Sequence, residues 1–333
     1  MALQSISIGT TANDGTGTNL REAFDICNDN FTEVYSSGTS ALAYKLEGTN
    51  FTGSLLVGHS TTGTIDSAYY NTALGIGAMD ALTTGDNNVA IGYNAGTSIN
   101  SGGGNTLYGT LAGDALTTGN SNIAIGRNTL SAEDTGSKNI AIGQDALIVL
   151  NYDGDGHNVA IGHSAGAAMS TGIQNVLMGG QAGDALTTGS YNVAVGRHAL
   201  STEDGHGRNV ALGYYALAVQ NAGADAYNVA IGFSAGAVVT TGLYNTLVGG
   251  RAGDVLTTGG YNVALGFDAL GSEDAHGRNV AIGYSALVAQ DAGVDAYNVA
   301  VGYNAGVAVS TGTYNILIGG LAGDAITSGD YNV

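Results

Sequence analysis

The residues most able to do chemistry in this chain are carboxylates set in glycine-rich turns. Asn151-Tyr152-Asp153-Gly154-Asp155-Gly156 alternates acidic side chains with glycine, a pattern that can wrap oxygens around a hard cation such as calcium. The segment lacks the distal bidentate Glu of a calcium loop, and its equivalents Asp225 and Asp295 recur at intervals of seventy residues. Glu203-Asp204 with Arg208, and Glu273-Asp274 with Arg278, read as exposed loops carrying local ion pairs of small worth. A glycosidase needs two carboxylates about 5 to 10 Å apart across a groove. Here Asp114, Asp184, Asp254 and Asp324 occupy one turn of successive blocks, which is how structural residues behave. No Ser/His/Asp set, phosphate loop or zinc spacing stands out, so the expectation is a protein that is not an enzyme and needs no metal or cofactor.

Two other residue types recur. The pairs Thr117-Thr118, Thr187-Thr188 and Thr257-Thr258 suggest ice binding, but adjacent strand residues point to opposite faces and cannot build one flat hydroxyl array. Tyr191, Tyr227, Tyr244, Tyr261, Tyr297, Tyr314 and Tyr331 share one position, which Arg208 and Arg278 take in every fourth unit. That is the pattern of a stacked aromatic ladder with cation-π partners. It serves packing between units or chains, with sugar binding as the alternative.

All of these positions hang on one repeat. Asn71 is followed at 17-residue steps by Asn88, Asn105, Asn122 and Asn139, then after 19 residues by Asn158. The same 17, 17, 17, 19 spacing then carries the series through Asn228 and Asn298 to Asn332, a super-repeat of seventy residues. In every complete coil Gly stands four positions after the Asn, and Ala stands seven after, except where Thr129 replaces it. Units too small to bury a core alone must stack. The expected fold is all-β: a parallel β-solenoid, or β-roll, of about fifteen 17- or 19-residue coils over residues 71–333. At a rise near 4.8 Å per coil the rod is about 70 Å long, and seventy residues correspond to roughly 19 Å, so Asp155, Asp225 and Asp295 cannot share an ion.

Each coil opens with a strand such as Asn88-Val89-Ala90-Ile91-Gly92, in which Val and Ile share one face and a small residue the other. The large aliphatics are expected to look into the coil. The opposite column, which includes Ala90, Leu107, Ala160, Leu177, Ala230 and Leu247, then lies outside as an apolar stripe and the expected interface of a homo-oligomer. A second strand is expected through Ala95-Gly96 and its equivalents. The Asn column, exemplified by Asn88, Asn158, Asn228 and Asn298, is expected to stack with its side-chain amides bonded along the ladder, in a structural role.

Composition sets the class of partner. Fifty-six Gly, no Pro, no Trp and 11% charged residues depart from the globular norm, while 44% hydrophobic residues exclude a disordered chain. The formal net charge of -19 disfavours nucleic acid and anionic membrane surfaces. Cys27 is the one cysteine, so no intrachain disulfide is possible. No segment has the pattern of a signal peptide or the roughly 20 apolar residues of a membrane span, so synthesis in a cytoplasm without membrane insertion is expected.

Residues 1–37 have no such period. A short strand near Ile6 and Ile8 precedes a helix to about residue 35, with Leu20, Phe24, Phe31 and Tyr35 on its apolar face. Residues 38–70 read as a linker and a degenerate entry coil around Leu55-Leu56-Val57-Gly58. Ile8-Gly9-Thr10-Thr11-Ala12-Asn13-Asp14-Gly15-Thr16-Gly17, Leu20-Arg21-x-Ala23-Phe24 and Asn28-x-Asn30-Phe31-x-Glu33-x-Tyr35 together resemble the amino-terminal segment of structural proteins of tailed bacteriophages. The repeat Asn-Val-Ala-Ile-Gly is similar to the head repeat of trimeric autotransporter adhesins, a parallel β-roll. The first resemblance implies a virion tail-fibre subunit, attached to baseplate, tail or head protein through residues 1–37 and projecting toward the host for adsorption. The second implies a homotrimer. The alternative is a glycan-binding surface adhesin, or a tailspike with depolymerase activity, acting on host-surface glycan.

Overall fold

The computed structural model describes residues 44–45, 54–57 and 65–333. The N-terminal module, with Leu20, Phe24, Phe31 and Tyr35, lies outside the described residues. A two-residue strand β1 (Tyr44–Lys45) pairs antiparallel with β2 (Leu55–Val57), inside the segment read as linker and entry coil. From β2 onward sixteen three-residue strands, including β3 (Thr72–Leu74), β4 (Val89–Ile91) and finally β17 (Ile316–Ile318), pair in parallel in chain order. The register repeats without slippage, Ala90 opposite Leu107 and Ala160 opposite Leu177. Among the described residues there is no helix. The chain is an all-β parallel solenoid with one strand per coil.

The orientation of these strands reverses the expectation. The Ala/Leu column faces inward: Ala90, Leu107, Ala160, Leu177, Ala230 and Leu247 are each 0% exposed in the single chain, so none is available as an oligomer interface. The flanking Val and Ile point outward, as in the half-exposed Val159 and Ile161 around buried Ala160. The reason is volume. A coil of 17 residues is narrow, and besides the Asn four of its positions fill the apolar interior: those two, seven, eight and eleven after it. Two β-branched side chains per strand would overfill it, and overpacking is as unfavourable as a void.

The seventy-residue order follows from sharing that volume. In the coil of Asn105 the strand supplies Leu107 and the eighth position is Gly113, where a Cβ would lie 2.9 Å from Leu107 Cδ2. In the coil of Asn139 the strand supplies Ala141, and Leu147 fills the space from the turn. The position eleven after the Asn adds one further large side chain, such as Ile99, Leu116, Leu150, Met169 or Leu186. At the one position where Thr129 replaces the buried Ala, its hydroxyl donates to Gly126 O at 2.5 Å.

Among the described residues the expected second strand is absent. Residues such as Asn94 to Ser98 form a turn, although the turns of adjacent coils still bond to one another, as in Gly96 N–H to Ala112 O at 2.9 Å. A turn forms because positive φ recurs within it, at Asn94 (52°) and Gly96 (55°), which no strand accommodates. The Gly that closes each strand is needed for two reasons. At Gly162 φ is 138°, and a Cβ would sit 2.5 Å from Gly179 O in the next coil.

Candidate functional site

The solenoid places three columns of potential function along its length. The first is the Asn ladder, buried from Asn71 to Asn315. Each Asn Oδ1 accepts the backbone N–H of the Asn one coil on, at 3.0 Å from Asn105 to Asn88, 3.0 Å from Asn175 to Asn158 and 2.8 Å from both Asn245 to Asn228 and Asn315 to Asn298. In most coils its Nδ2 reaches a turn carbonyl fourteen residues on, as in Asn158 to Gly172 O at 2.9 Å, while Asn209, Asn262 and Asn279 Nδ2 have no hydrogen-bond partner. The ladder therefore joins side chain to backbone in every coil. Direct amide-to-amide bonds, such as Asn88 Nδ2 to Asn71 Oδ1 at 3.1 Å, occur only in some coils. A buried amide so engaged holds register and leaves no group for chemistry.

The second column is the outward strand face. Its Val, Ile, Leu and Thr residues form a stripe with Leu212, Leu265 and Ile316 exposed by more than two-fifths. Sixteen strands about 10 Å wide stacked over about 70 Å make roughly 700 Å² of flat surface, above the few hundred Å² that a soluble monomer usually leaves bare. Aromatic columns flank it. Just before the strands, Tyr227, Tyr244 and Tyr261 stack at 5.6 and 5.1 Å, and Tyr297, Tyr314 and Tyr331 at 5.1 and 5.0 Å. Arg208 bridges Tyr191 and Tyr227 at 5.5 Å from each ring, and Arg278 bridges Tyr261 and Tyr297 at 5.0 and 5.6 Å. Just after the strands, Tyr214 stacks on Phe233, and Phe267, Tyr284 and Tyr303 stack in series.

The ring faces in these columns are turned to one another, so edges and hydroxyls meet solvent; a sugar would need a free face. The tyrosines of the first column hold φ between 52° and 63°, a left-handed conformation costing about 1 to 2 kcal/mol each. Stacking returns about 0.5 to 1.5 kcal/mol per pair, so it offsets only part of that strain. The threonine pairs are likewise engaged within the coil stack: Thr187 Oγ1 donates to Asp204 O at 2.7 Å and Thr257 Oγ1 to Asp274 O at 2.6 Å.

The third column is the acidic edge. Asp155, Asp225 and Asp295 each meet a cation of the preceding coil, Lys138 at 2.5 Å, Arg208 at 3.1 Å and Arg278 at 2.6 Å. Asp153 accepts from Thr135 Oγ1 at 2.7 Å. Beside it Asp134, Asn151, Tyr152, Asp153 and Thr171 line a shallow, open depression of about 470 Å³. Later blocks lack it in this form, since Ala222 and Ala292 stand where Tyr152 does. Asp254 is held by Arg251 at 3.0 Å, while partial burial raises the carboxyls of Asp114 and Asp184.

Glu203 and Glu273 overturn their reading as exposed loop residues paired with Arg208 and Arg278. With Glu133 they are 0% exposed, because they occupy the inward position eleven after the Asn. That register was available in the sequence: the same column carries Leu116 and Leu186 one coil earlier, and Gln220 and Gln290 one coil later. Glu133 accepts the N–H of Gly136 at 2.7 Å and of Tyr152 at 3.4 Å. Glu203 and Glu273 accept only the N–H of His206 and His276, at 3.2 and 3.0 Å, and their Oε2 atoms have no hydrogen-bond partner. Burial raises all three carboxyls, Glu273 to about 7.

Because the fold prefers these groups protonated, the folded chain binds more protons than the unfolded one between the ordinary Glu range and pH 7. Stability is therefore full below about pH 4.5 for these groups and declines as pH rises through the folded values. Asp295, held low first by Arg278, and Asp145, held low first by Gln144, titrate below that window. In the presence of a chelator, the melting temperature should fall between pH 5 and pH 7.5, with Glu273 contributing on the order of 2 to 3 kcal/mol. The triple variant Glu133→Gln, Glu203→Gln, Glu273→Gln should flatten that fall; an unchanged slope would assign it to other groups.

No known protein family, curated protein or solved structure matches the chain. Among the described residues no helix is long and apolar enough to cross a membrane. The class defined by the coordinates is a parallel β-solenoid repeat protein, uniform along its axis, with one apolar face open to solvent.

Proposed function

We propose that the chain is the shaft subunit of a tailed-phage fibre, attached to the virion through residues 1–37 and projecting toward the host for adsorption. The observation that carries this reading is the unbroken register of the solenoid. The Asn ladder and the parallel strands repeat from end to end, so what the sequence specifies is a stiff element of set length. The phage-like amino-terminal motifs supply the point of attachment. The adhesin-like repeat supplies the trimeric state, which we assign to the outward Val/Ile stripe. That stripe runs parallel to the rod axis, so three parallel copies bring it to a common axis.

Removal of residues 1–37 tests the attachment. The truncated chain should retain its β-type circular dichroism and lose incorporation into phage particles, read by antibody labelling of purified virions. Incorporation at the wild-type level would refute attachment through this segment. The second reading, a glycan-binding adhesin or a depolymerising tailspike, has one observation in its favour: the depression lined by Asp134, Tyr152 and Asp153 is not repeated in this form along the rod. Release of reducing ends from a host-surface polysaccharide, abolished by Asp134→Asn with Asp153→Asn, would establish it in place of a simple spacer.

A further inference from the structure

Glu203, Asp204 and His206 bring one ligand atom each to within 4.8 Å of one another, and Glu273, Asp274 and His276 repeat the arrangement one block later. In each cluster the Glu side chain is fully buried, yet Oε2 has no hydrogen-bond partner. The imidazole Nδ1 is also unpartnered, and it lies 3.8 and 3.9 Å from Glu203 and Glu273 Oε1 respectively. That separation is too long for a hydrogen bond. It is within reach of two ligands of one ion, whose bonds of about 2.0 to 2.2 Å span at most about 4.4 Å. With ligand atoms within 4.8 Å of one another, small side-chain rotations bring all three onto one ion.

The first block is an internal comparison. There Gly136 stands in place of the histidine, and the Glu133 carboxylate is satisfied by two backbone N–H groups. The histidine and the unsatisfied carboxylate oxygen thus appear together in two blocks and are absent together from the third. A buried polar atom without a partner is costly, and adjacent Asp204 or Asp274 adds like charge, so a cation would satisfy both clusters in the same way.

We propose that these two clusters bind a divalent transition metal of the zinc class, one ion in each. An imidazole with two carboxylates is a borderline donor set that suits zinc over calcium or magnesium, which take oxygen alone. Asp204 and Asp274 are exposed and His206 and His276 half-exposed, so the outer side of each site is open to water as a further ligand. Each ion joins the core position eleven after the Asn to the surface of the turn, in the coil immediately before a 19-residue one. Metal binding here departs from the expectation, drawn from the sequence for the whole chain, that no metal is needed.

The test uses the full chain, stripped with chelator and titrated with zinc, with stoichiometry read by native mass spectrometry. Wild type should take up two ions per chain, His206→Ala one, and His206→Ala with His276→Ala none. Calcium and magnesium at the same concentration should not substitute. Circular dichroism of each variant shows that the coils remain, and Glu203→Gln with Glu273→Gln, which keeps side-chain volume, should weaken uptake at least tenfold. Cobalt offers a second signature, a visible absorption band lost in the double histidine variant. Fewer than two zinc ions in wild type, or two retained in the double histidine variant, would overturn the proposal.

Discussion

Replacing Ala160 and Ala230 with Glu is expected to unfold the coils that carry them. Both side chains are 0% exposed and lie against the strand leucines Leu177 and Leu247 of the next coil. The column itself runs as Ala and Leu through the sheet. A carboxylate there is either ionised in an apolar interior or neutral without partners, and its bulk overfills a volume sized for a methyl group. Each substitution should cost more than about 4 kcal/mol. The expected readout is loss of β-type circular dichroism and new protease cleavage near residues 160 and 230. Ala160→Ser with Ala230→Ser should be far milder. A double Glu variant melting within a few degrees of wild type would contradict the inward orientation.

Charging the other face has the opposite signature. Val159, Ile161, Val229 and Ile231 are half-exposed on the outward stripe, so lysine at these positions adds little strain to a single chain. If three stripes meet on one axis, each substitution places three like charges together in a water-excluded seam. The quadruple variant should remain folded and become monomeric, its apparent dissociation constant weaker by at least about a thousandfold, or about 4 kcal/mol. Sedimentation or native mass measurement distinguishes the outcomes. An unchanged oligomer would remove the stripe from the interface, and a monomeric wild type would remove the trimer.

The contrast between these variants marks where sequence reasoning stopped. The recurrence of Asn88 through Asn332, with Gly four residues later, required a stacked parallel solenoid, because a 17-residue unit cannot bury a core alone and only Gly tolerates the φ near 138° found at Gly162. The register of the ladder was legible for the same reason, whereas the seventy-residue exchange of Leu between strand and turn was not, because the strand leucines read as lying outside. Asp155, Asp225 and Asp295 were legible as recurring positions too far apart to share an ion, but their pairing with Lys138, Arg208 and Arg278 of the preceding coil was not.

Which face of Val89-Ala90-Ile91 looks inward was not legible. Strand alternation separates the two faces, but both are apolar here, so hydropathy cannot choose between them. The choice is made by the width of the coil, which depends on the closing turns at Asn94 and Gly96 and on the side chain that enters from position eleven. The same closure carries Glu203 and Glu273 inside, where an acidic pair in a glycine-rich turn had the look of a solvated loop. Local sequence thus determined the repeat, the axis and the ladder. The tertiary structure decided inside from outside, since the interior volume of a coil exists only once its turns have closed and its neighbours have stacked.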